Sequence, residues 1–172
     1  MNRIAHYNGY DYYIALTRDE INDIHKCKND FEYFAKYIYI NDPTSTQPVK
    51  IQLYDKQKEF INIVNNNHYI IVLKSRQTGM STISGLYALW VALFYPNSTI
   101  GILSKTGNDA TRFLTEYVKK PFNYLPTFLK EKVLEDNKRS IRFNNNSAII
   151  SSTSTPTAFR SFALSFLIVD EA

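Results

Sequence analysis

The segment with the clearest capacity for chemistry is VLKSRQTGMST, residues 72–82. A short apolar run leads into it, Gly79 lies near its end, and the hydroxyl residues Ser81 and Thr82 follow. A glycine-bearing turn between a strand and a helix gathers backbone N–H groups into a concave anion site, and the helix dipole adds to it. A hydroxyl beside the glycine can hold Mg²⁺. The segment therefore predicts a phosphate-binding loop from Lys74 to Thr82.

This loop departs from the usual pattern G-x-x-x-x-G-K-[ST], because Lys74 takes the first glycine position and Met80 the lysine position. Lys74 and Arg76 stand at the front of the loop instead, and Arg76 can clamp phosphate oxygens in bidentate fashion or act in cis on the transition state. The alternative is a helix start with ordinary surface cations. We predict a site whose cation has moved, formed by Lys74, Ser75, Arg76, Gln77, Thr78, Gly79, Met80, Ser81 and Thr82.

Two carboxylates follow the apolar run in SFLIVDEA, residues 165–172. Ligands of open α/β sheets bind at the carboxyl ends of the strands. In a phosphate-loop protein the first acid, Asp170, would hold Mg²⁺, and the second, Glu171, would orient the attacking water. The alternative is a solvated strand end.

Gln57, in IQLYDKQKEF, precedes the loop. Its amide carries a donor and an acceptor that match adenine N6 and N7. The alternative is an exposed, solvated glutamine on a helix.

The middle of the chain is basic, and this stretch is either a solvated face or a surface that faces DNA. Its cations are Lys119, Lys120, Lys130, Lys132, Lys138 and Arg139.

The bulk composition is that of a globular protein of one ordinary domain, with 172 residues, 44% hydrophobic and 21% charged. A net charge of +4 suits a polyanionic partner without requiring one. A single cysteine excludes an internal disulfide, and the three histidines have no metal-site spacing. No apolar run has the length of a membrane span, so we expect a soluble intracellular protein.

Hydrophobic periodicity predicts helices up to about residue 42 and over 54–67, 79–95 and 107–121, with strands at 68–74, 98–105 and 165–170 and two short strands within 140–152. Alternating strands and helices indicate βαβ units and a parallel sheet covered by helices.

Taken in order, these motifs resemble the ATPase domain of the large terminase subunit of tailed bacteriophages. IQLYDKQKEF is similar to its adenine motif, KSRQTGMST to its deviant Walker A loop, and SSTSTPTAFRSFALSFLIVDEA to the segment that leads into Walker B. GILSKTGNDATRFL resembles the strand and helix between them. The resemblance covers residues 31–172. Two departures are Met80 in place of a loop lysine and Ser161 where a glycine is common.

The resemblance implies a P-loop NTPase fold of the RecA/ASCE type, an α/β parallel sheet flanked by helices and incomplete at the C-terminus. Residues 1–50 would form an N-terminal helical segment and residues 51–172 the ATPase core. The implied cofactors are ATP and Mg²⁺. Gln57 would read adenine, Ser81 and Asp170 would bind the metal, and Arg76 and Glu171 would be catalytic.

The implied function is a motor that hydrolyses ATP to drive double-stranded DNA into the procapsid. The implied partners are the portal protein, the small terminase subunit and further copies in a ring on the portal, in the host cytoplasm and without a membrane. The nuclease domain of the family is not in this sequence, so we expect an N-terminal part that hydrolyses ATP poorly alone. The alternatives are a DEAD-like helicase, against which Met80-Ser81 argues, and a truncated fragment that does not hydrolyse ATP.

Overall fold

The computed structural model describes residues 2–7, 10–75, 78–155 and 157–171, with the backbone alone for residues before 15. The strands are β1 (Asn2–Tyr7), β2 (Tyr10–Ala15), β3 (Tyr39–Ile40), β4 (Val49–Lys50), β5 (Thr99–Ser104), β6 (Val133–Asn137), β7 (Ser140–Phe143), β8 (Ala148–Thr153) and β9 (Phe166–Asp170). The helices are α1 (Arg18–Asn29), α2 (Phe31–Ala35), α3 (Asp55–Asn66), α4 (Met80–Phe94), α5 (Gly107–Leu114) and α6 (Lys120–Tyr124), with a π-helical turn (Thr115–Lys119) and a 3₁₀ turn (Thr127–Leu129). Within the described residues, no helix is both long and apolar enough to cross a membrane.

The protein is α/β, with one five-stranded mixed sheet in the order β6-β7-β8-β5-β9, flanked by helices. Strand β5 runs parallel to both β8 and β9. The predicted parallel sheet is present only in part, because β7 pairs antiparallel with β6 and with β8. The reason is the short Asn-rich turn between β7 and β8, since a connection of a few residues can join only antiparallel strands. The two strands predicted within 140–152 are confirmed.

The strand predicted at 68–74 is not present. This segment runs as irregular backbone, and Tyr69, Ile71 and Leu73 are almost fully exposed. A strand needs a backbone partner, and in the described part of the chain β9 pairs with β5 alone. A short apolar run does not specify that partner, so its composition alone predicted a strand that the sheet does not contain.

Helix α4 is the centre of the core. It is apolar on nearly all sides, and Ile83, Leu86 and Leu89 are fully buried, as expected of a helix packed on more than one face. Trp90 donates from Nε1 to the Cys27 carbonyl at 2.6 Å, so α1 is fixed directly to α4. Cys27 is buried in this contact. Its burial, and to a smaller extent the charges of nearby carboxylates, raises the pKa of its thiol to about 12.

The N-terminal part is less helical than predicted. Helices α1 and α2 lie within the predicted region, but β1 and β2 form an antiparallel hairpin that the periodicity did not indicate. Thr17 and Glu20 form a capping box at the start of α1, which explains why the helix begins there. Phe34 of α2 packs edge-on against Phe94 at a centroid distance of 5.5 Å, so these helices share the core of α4.

A hydrogen-bonded cluster joins α1 to the segment around α2. The Asp23 carboxylate accepts from the hydroxyls of Tyr37 at 2.5 Å and Tyr33 at 2.7 Å. The Tyr37 bond, then the Tyr33 bond, holds the pKa of Asp23 below its ordinary value, and Lys26 and Lys36 lower it further. The cluster therefore depends on an ionised carboxylate.

We expect Asp23→Asn to lower the melting temperature at neutral pH and to have a shrinking effect at acidic pH. A carboxylate whose folded pKa is depressed contributes stability above its unfolded pKa of about 3.9, and that stability is lost as the pH falls through the folded value. Thermal unfolding of both proteins between neutral pH and pH ~3 measures this. Asp19→Asn, which removes an exposed acid of the same helix, is the control. A difference between wild type and Asp23→Asn that does not change with pH would contradict the expectation.

Candidate functional site

The candidate site is a cavity of about 530 Å³ between the start of α4 and the end of β9. Strand β9 ends at Asp170, beside Ser104 of β5, so the cavity lies at the carboxyl edge of the parallel strands. Its lining residues are Lys74, Ser75, Thr78, Gly79, Met80, Ser81, Thr82, Tyr117 and Glu171. The structure thus gathers most of the predicted loop in one place. Arg76 and Gln77 lie outside the described residues.

Three polar side chains meet at one point of this site. Lys74 Nζ lies 2.7 Å from Asp170 Oδ1 and donates to Ser81 Oγ at 2.8 Å. The Ser81 hydroxyl lies 3.1 and 3.2 Å from the two carboxylate oxygens of Asp170. The side chains of Lys74 and Asp170 are only 27% and 20% exposed. Asp170 is therefore not the solvated strand end of the alternative interpretation.

Gly79 sets the path of the backbone into α4. Its φ is +70°, in the left-handed region, and it is the residue that precedes the first turn. The first turn carries no acidic side chain of its own, and the positive end of the helix dipole lies at this cavity. This arrangement favours an anionic ligand.

Gln57 is buried, so the alternative of an exposed glutamine is wrong. Its Oε1 accepts from the backbone N–H of Tyr54 at 3.1 Å, and its Nε2 donates to the Thr78 carbonyl at 3.2 Å. The amide therefore ties the start of α3 to the loop. Each amide atom keeps capacity for one more hydrogen bond, and adenine recognition stays a prediction.

A second cavity, of about 460 Å³, lies on the other side of Gln57 and shares Thr78, Gly79 and Thr82 with the first. Its remaining wall comes from the segments 40–43 and 49–52, together with Tyr54 and Ile83. The two cavities together provide room for a ligand with a charged end at the loop and a second part beside Gln57.

Glu171 lines the first cavity and is exposed, so its carboxylate is open to solvent and to a ligand. Its φ is +52°, a region that residues other than glycine rarely adopt. Such strain costs on the order of 1–3 kcal/mol and is concentrated at functional positions. Glu171 is thus set next to Asp170 by an unusual backbone turn at the end of β9.

Sequence reasoning missed Tyr117, which lines the first cavity and also a neighbouring one. It lies on the π-helical turn, a rare conformation that is frequent at functional sites. The signal in the sequence is Gly85, an isolated glycine inside an apolar helix, which indicates close packing. A Cβ atom at Gly85 would lie 2.5 Å from the Tyr117 Cβ and 2.9 Å from its carbonyl oxygen.

We expect Gly85→Ala to lower the free energy of unfolding by about 1–3 kcal/mol, because the backbone of the π-helical turn must move away. The higher helix propensity of alanine acts in the opposite direction by at most about 1 kcal/mol. Urea denaturation measures the difference, with Ser84→Ala on the same helix as the control. An alanine variant as stable as the wild type would show that the two helices do not need this close contact.

The basic middle of the chain is largely paired. Lys119 forms an ion pair with Asp136 and Lys120 one with Glu116. Lys130 donates to the Asn123 carbonyl at 2.8 Å, and burial lowers its pKa. The DNA-facing alternative stays a prediction that rests mainly on Lys138 and Arg139, which are exposed.

The donor set at Ser81 and Asp170 fits magnesium. Both donate hard oxygen atoms, and Mg²⁺ usually takes one or two protein ligands and completes its shell with phosphate and water. Among the described residues there is no cluster of three or more histidine, cysteine or acidic side chains that could hold a metal by themselves. The sequence matches no family model.

Proposed function

We propose that this chain is the ATPase motor part of a phage terminase large subunit, with a P-loop NTPase fold, and that it hydrolyses ATP to translocate double-stranded DNA into the procapsid. One observation carries the proposal. Lys74 and Ser81, at the front and back of the loop, meet Asp170, which lies 96 and 89 positions further along the chain. Such a meeting of lysine, hydroxyl and strand-end carboxylate is what binding of a metal–triphosphate requires.

In this proposal the triphosphate lies over the amide groups at the start of α4. Gly79 allows the close approach, and Lys74 provides a point charge for the terminal phosphate oxygens. Ser81 and Asp170 hold Mg²⁺, which when bound neutralises charge that develops on the transferred phosphoryl group.

Glu171 is proposed to orient the attacking water and to accept its proton. Its carboxylate faces the same cavity as the loop, and a base must lie within hydrogen-bonding reach of the water that it activates. Arg76 retains its proposed role in stabilising the transition state.

The nucleoside would occupy the second cavity, with adenine beside Gln57. The remaining hydrogen-bonding capacity of the Gln57 amide supports recognition of adenine over guanine. DNA, the portal protein and the small subunit are proposed partners from the resemblance, with a ring of copies on the portal.

The proposal is tested by calorimetric titration of the purified chain with Mg–ATP and Mg–GTP. We expect ATP to bind in the micromolar to millimolar range that is usual for nucleotide enzymes and GTP to bind more weakly, about tenfold. Asp170→Asn should remove the Mg²⁺-dependent part of this affinity. Asp109→Asn, an exposed acid of α5, is the control. Failure of ATP to bind would contradict the proposal.

The alternatives are separated by hydrolysis with added nucleic acid. We expect slow turnover that double-stranded DNA stimulates more than single-stranded DNA or RNA. Stimulation by single strands alone would favour the helicase, and nucleotide binding without any hydrolysis would favour the fragment that does not hydrolyse ATP.

A further inference from the structure

We propose that Lys74 occupies the divalent-metal position between Ser81 and Asp170 until a metal–triphosphate displaces it. This inference rests on the proposed function for the identity of the ligand, while the occupied cation position is a feature of the described side chains.

The separation of the two oxygen donors supports a metal position. Two oxygens that bind one Mg²⁺ at 2.0–2.1 Å and at right angles lie about 2.9 Å apart. Ser81 Oγ lies 3.1 Å from Asp170 Oδ1 and 3.2 Å from Oδ2, close to this spacing. Ser81 and Asp170 are hydrogen-bonded here, and their separation needs little change for the two oxygens to become neighbouring ligands of an octahedral ion.

The ammonium group of Lys74 lies against both donors at once. Its nitrogen is 2.7 Å from Asp170 Oδ1 and 2.8 Å from Ser81 Oγ. A metal held between Ser81 and Asp170 would bind these same two oxygen atoms. Lys74 and a divalent cation must therefore compete for the same oxygens.

A lysine suits this exchange better than an arginine. Its charge is compact and sits on a flexible four-carbon stem, so the ammonium can leave Asp170 without movement of the backbone. Lys74 also lines the cavity at the start of α4, where a phosphate would lie. A phosphate gives the displaced ammonium a new partner, whereas a metal alone leaves it close to a divalent charge.

The exchange couples the metal to the triphosphate. A metal ion that binds without nucleotide must displace the Lys74 ammonium group, which then stays nearby and repels the ion, so the metal binds weakly. Metal with nucleotide transfers Lys74 to phosphate and binds well. Coupling is reciprocal, so the triphosphate must raise the metal affinity by the same factor as the metal raises the triphosphate affinity.

The test is binding of Mn²⁺, as a stand-in for Mg²⁺, to the full chain without nucleotide, measured from the electron paramagnetic resonance signal of free Mn²⁺. We expect Lys74→Met to bind Mn²⁺ roughly tenfold more tightly than the wild type, because it loses a competing charge at contact distance. Asp170→Asn in the Lys74→Met background should remove that gain. Lys74→Arg should bind no more tightly than the wild type.

Lys105→Met is the matched control. Lys105 is exposed and follows Ser104, which pairs in register with Asp170, so this variant removes one positive charge from the same sheet edge. If Lys74→Met and Lys105→Met gained the same Mn²⁺ affinity, the loss of one positive charge at this edge would explain the whole effect. That result would overturn the proposal. If Lys74→Met does not melt cooperatively, Lys74→Gln replaces it, with the same expectations.

The outcomes for this inference and for the proposed function are separable. Tighter Mn²⁺ binding by Lys74→Met with no nucleotide binding by the wild type would support the cation position and refute the ATPase. ATP binding by the wild type with no gain of Mn²⁺ affinity in Lys74→Met would support the ATPase and overturn the role of Lys74.

Discussion

Replacing Glu171 by Gln is expected to slow ATP hydrolysis by about 10²–10⁴-fold and to leave ATP affinity within about twofold. The amide keeps the size and the hydrogen-bonding capacity of the side chain but cannot accept the proton of the attacking water. Among the loop residues that the structure describes, none forms an ion pair with Glu171, and the residue that contacts Lys74 and Ser81 is Asp170. Removal of its charge therefore leaves the phosphate and metal positions in place.

The measurement is a single-turnover assay with protein in excess over labelled ATP. In multiple turnover, slow product release could limit the rate and mask the rate of the chemical step. Nucleotide affinity is measured in parallel by titration. Glu59→Gln, which removes an exposed carboxylate of α3, is the control and should change neither value. If Glu171→Gln hydrolysed ATP at the wild-type rate, the general base would have to be another group.

The elements that the sequence predicted well are those whose pattern depends on local chemistry. Helix α4 follows from a long apolar stretch between Gly79 and Pro96, and β5 and β9 follow from short apolar runs. Segment 68–74 has a similar apolar composition, but it pairs with no strand in the described part of the chain, and most of its apolar side chains are exposed. Pairing is a long-range property, so a run of apolar residues predicts that a strand is possible without predicting that it joins the sheet.

The sequence predicted which residues belong to the candidate site better than it predicted which of them contact each other. The glycine, the hydroxyl and the strand-end acid follow from the motifs, because each residue type has few other uses at such positions. The contact of Lys74 with Asp170 depends on how β9 lies beside the loop, which spacing along the chain does not give. The buried amide of Gln57 and the approach of Tyr117 to Gly85 depend on packing between distant helices.

Gly79→Ala is expected to weaken ATP binding by at least roughly tenfold and to lower the free energy of unfolding by about 1–2 kcal/mol or more. Two causes add. An L-residue is strained at the φ of +70° that Gly79 adopts, and its Cβ would lie 2.7 Å from the Gln57 Nε2. Relief of either requires the loop to shift, which would move the amide groups at the start of α4 away from the phosphates. Titration with Mg–ATP and urea denaturation measure the two effects.

Gly107→Ala is a sharp control, because Gly107 also begins a helix at the carboxyl edge of the sheet. A Cβ there would meet its nearest neighbours at the ordinary distances of 3.4 and 3.5 Å, and Gly79 is the glycine for which the described backbone has a positive φ. Gly107→Ala should therefore leave ATP affinity unchanged.

The double variant Gln57→Ala/Gly79→Ala separates the two causes at Gly79, because it removes the clash and keeps the backbone strain. Because Gln57 is itself proposed to contact adenine, the double variant is compared with the single variant Gln57→Ala. Equal ATP affinity in these two variants would assign the loss in Gly79→Ala to the clash with Gln57. Weaker binding by the double variant would assign it to the left-handed turn, and wild-type affinity in Gly79→Ala itself would show that the phosphate site does not depend on this turn.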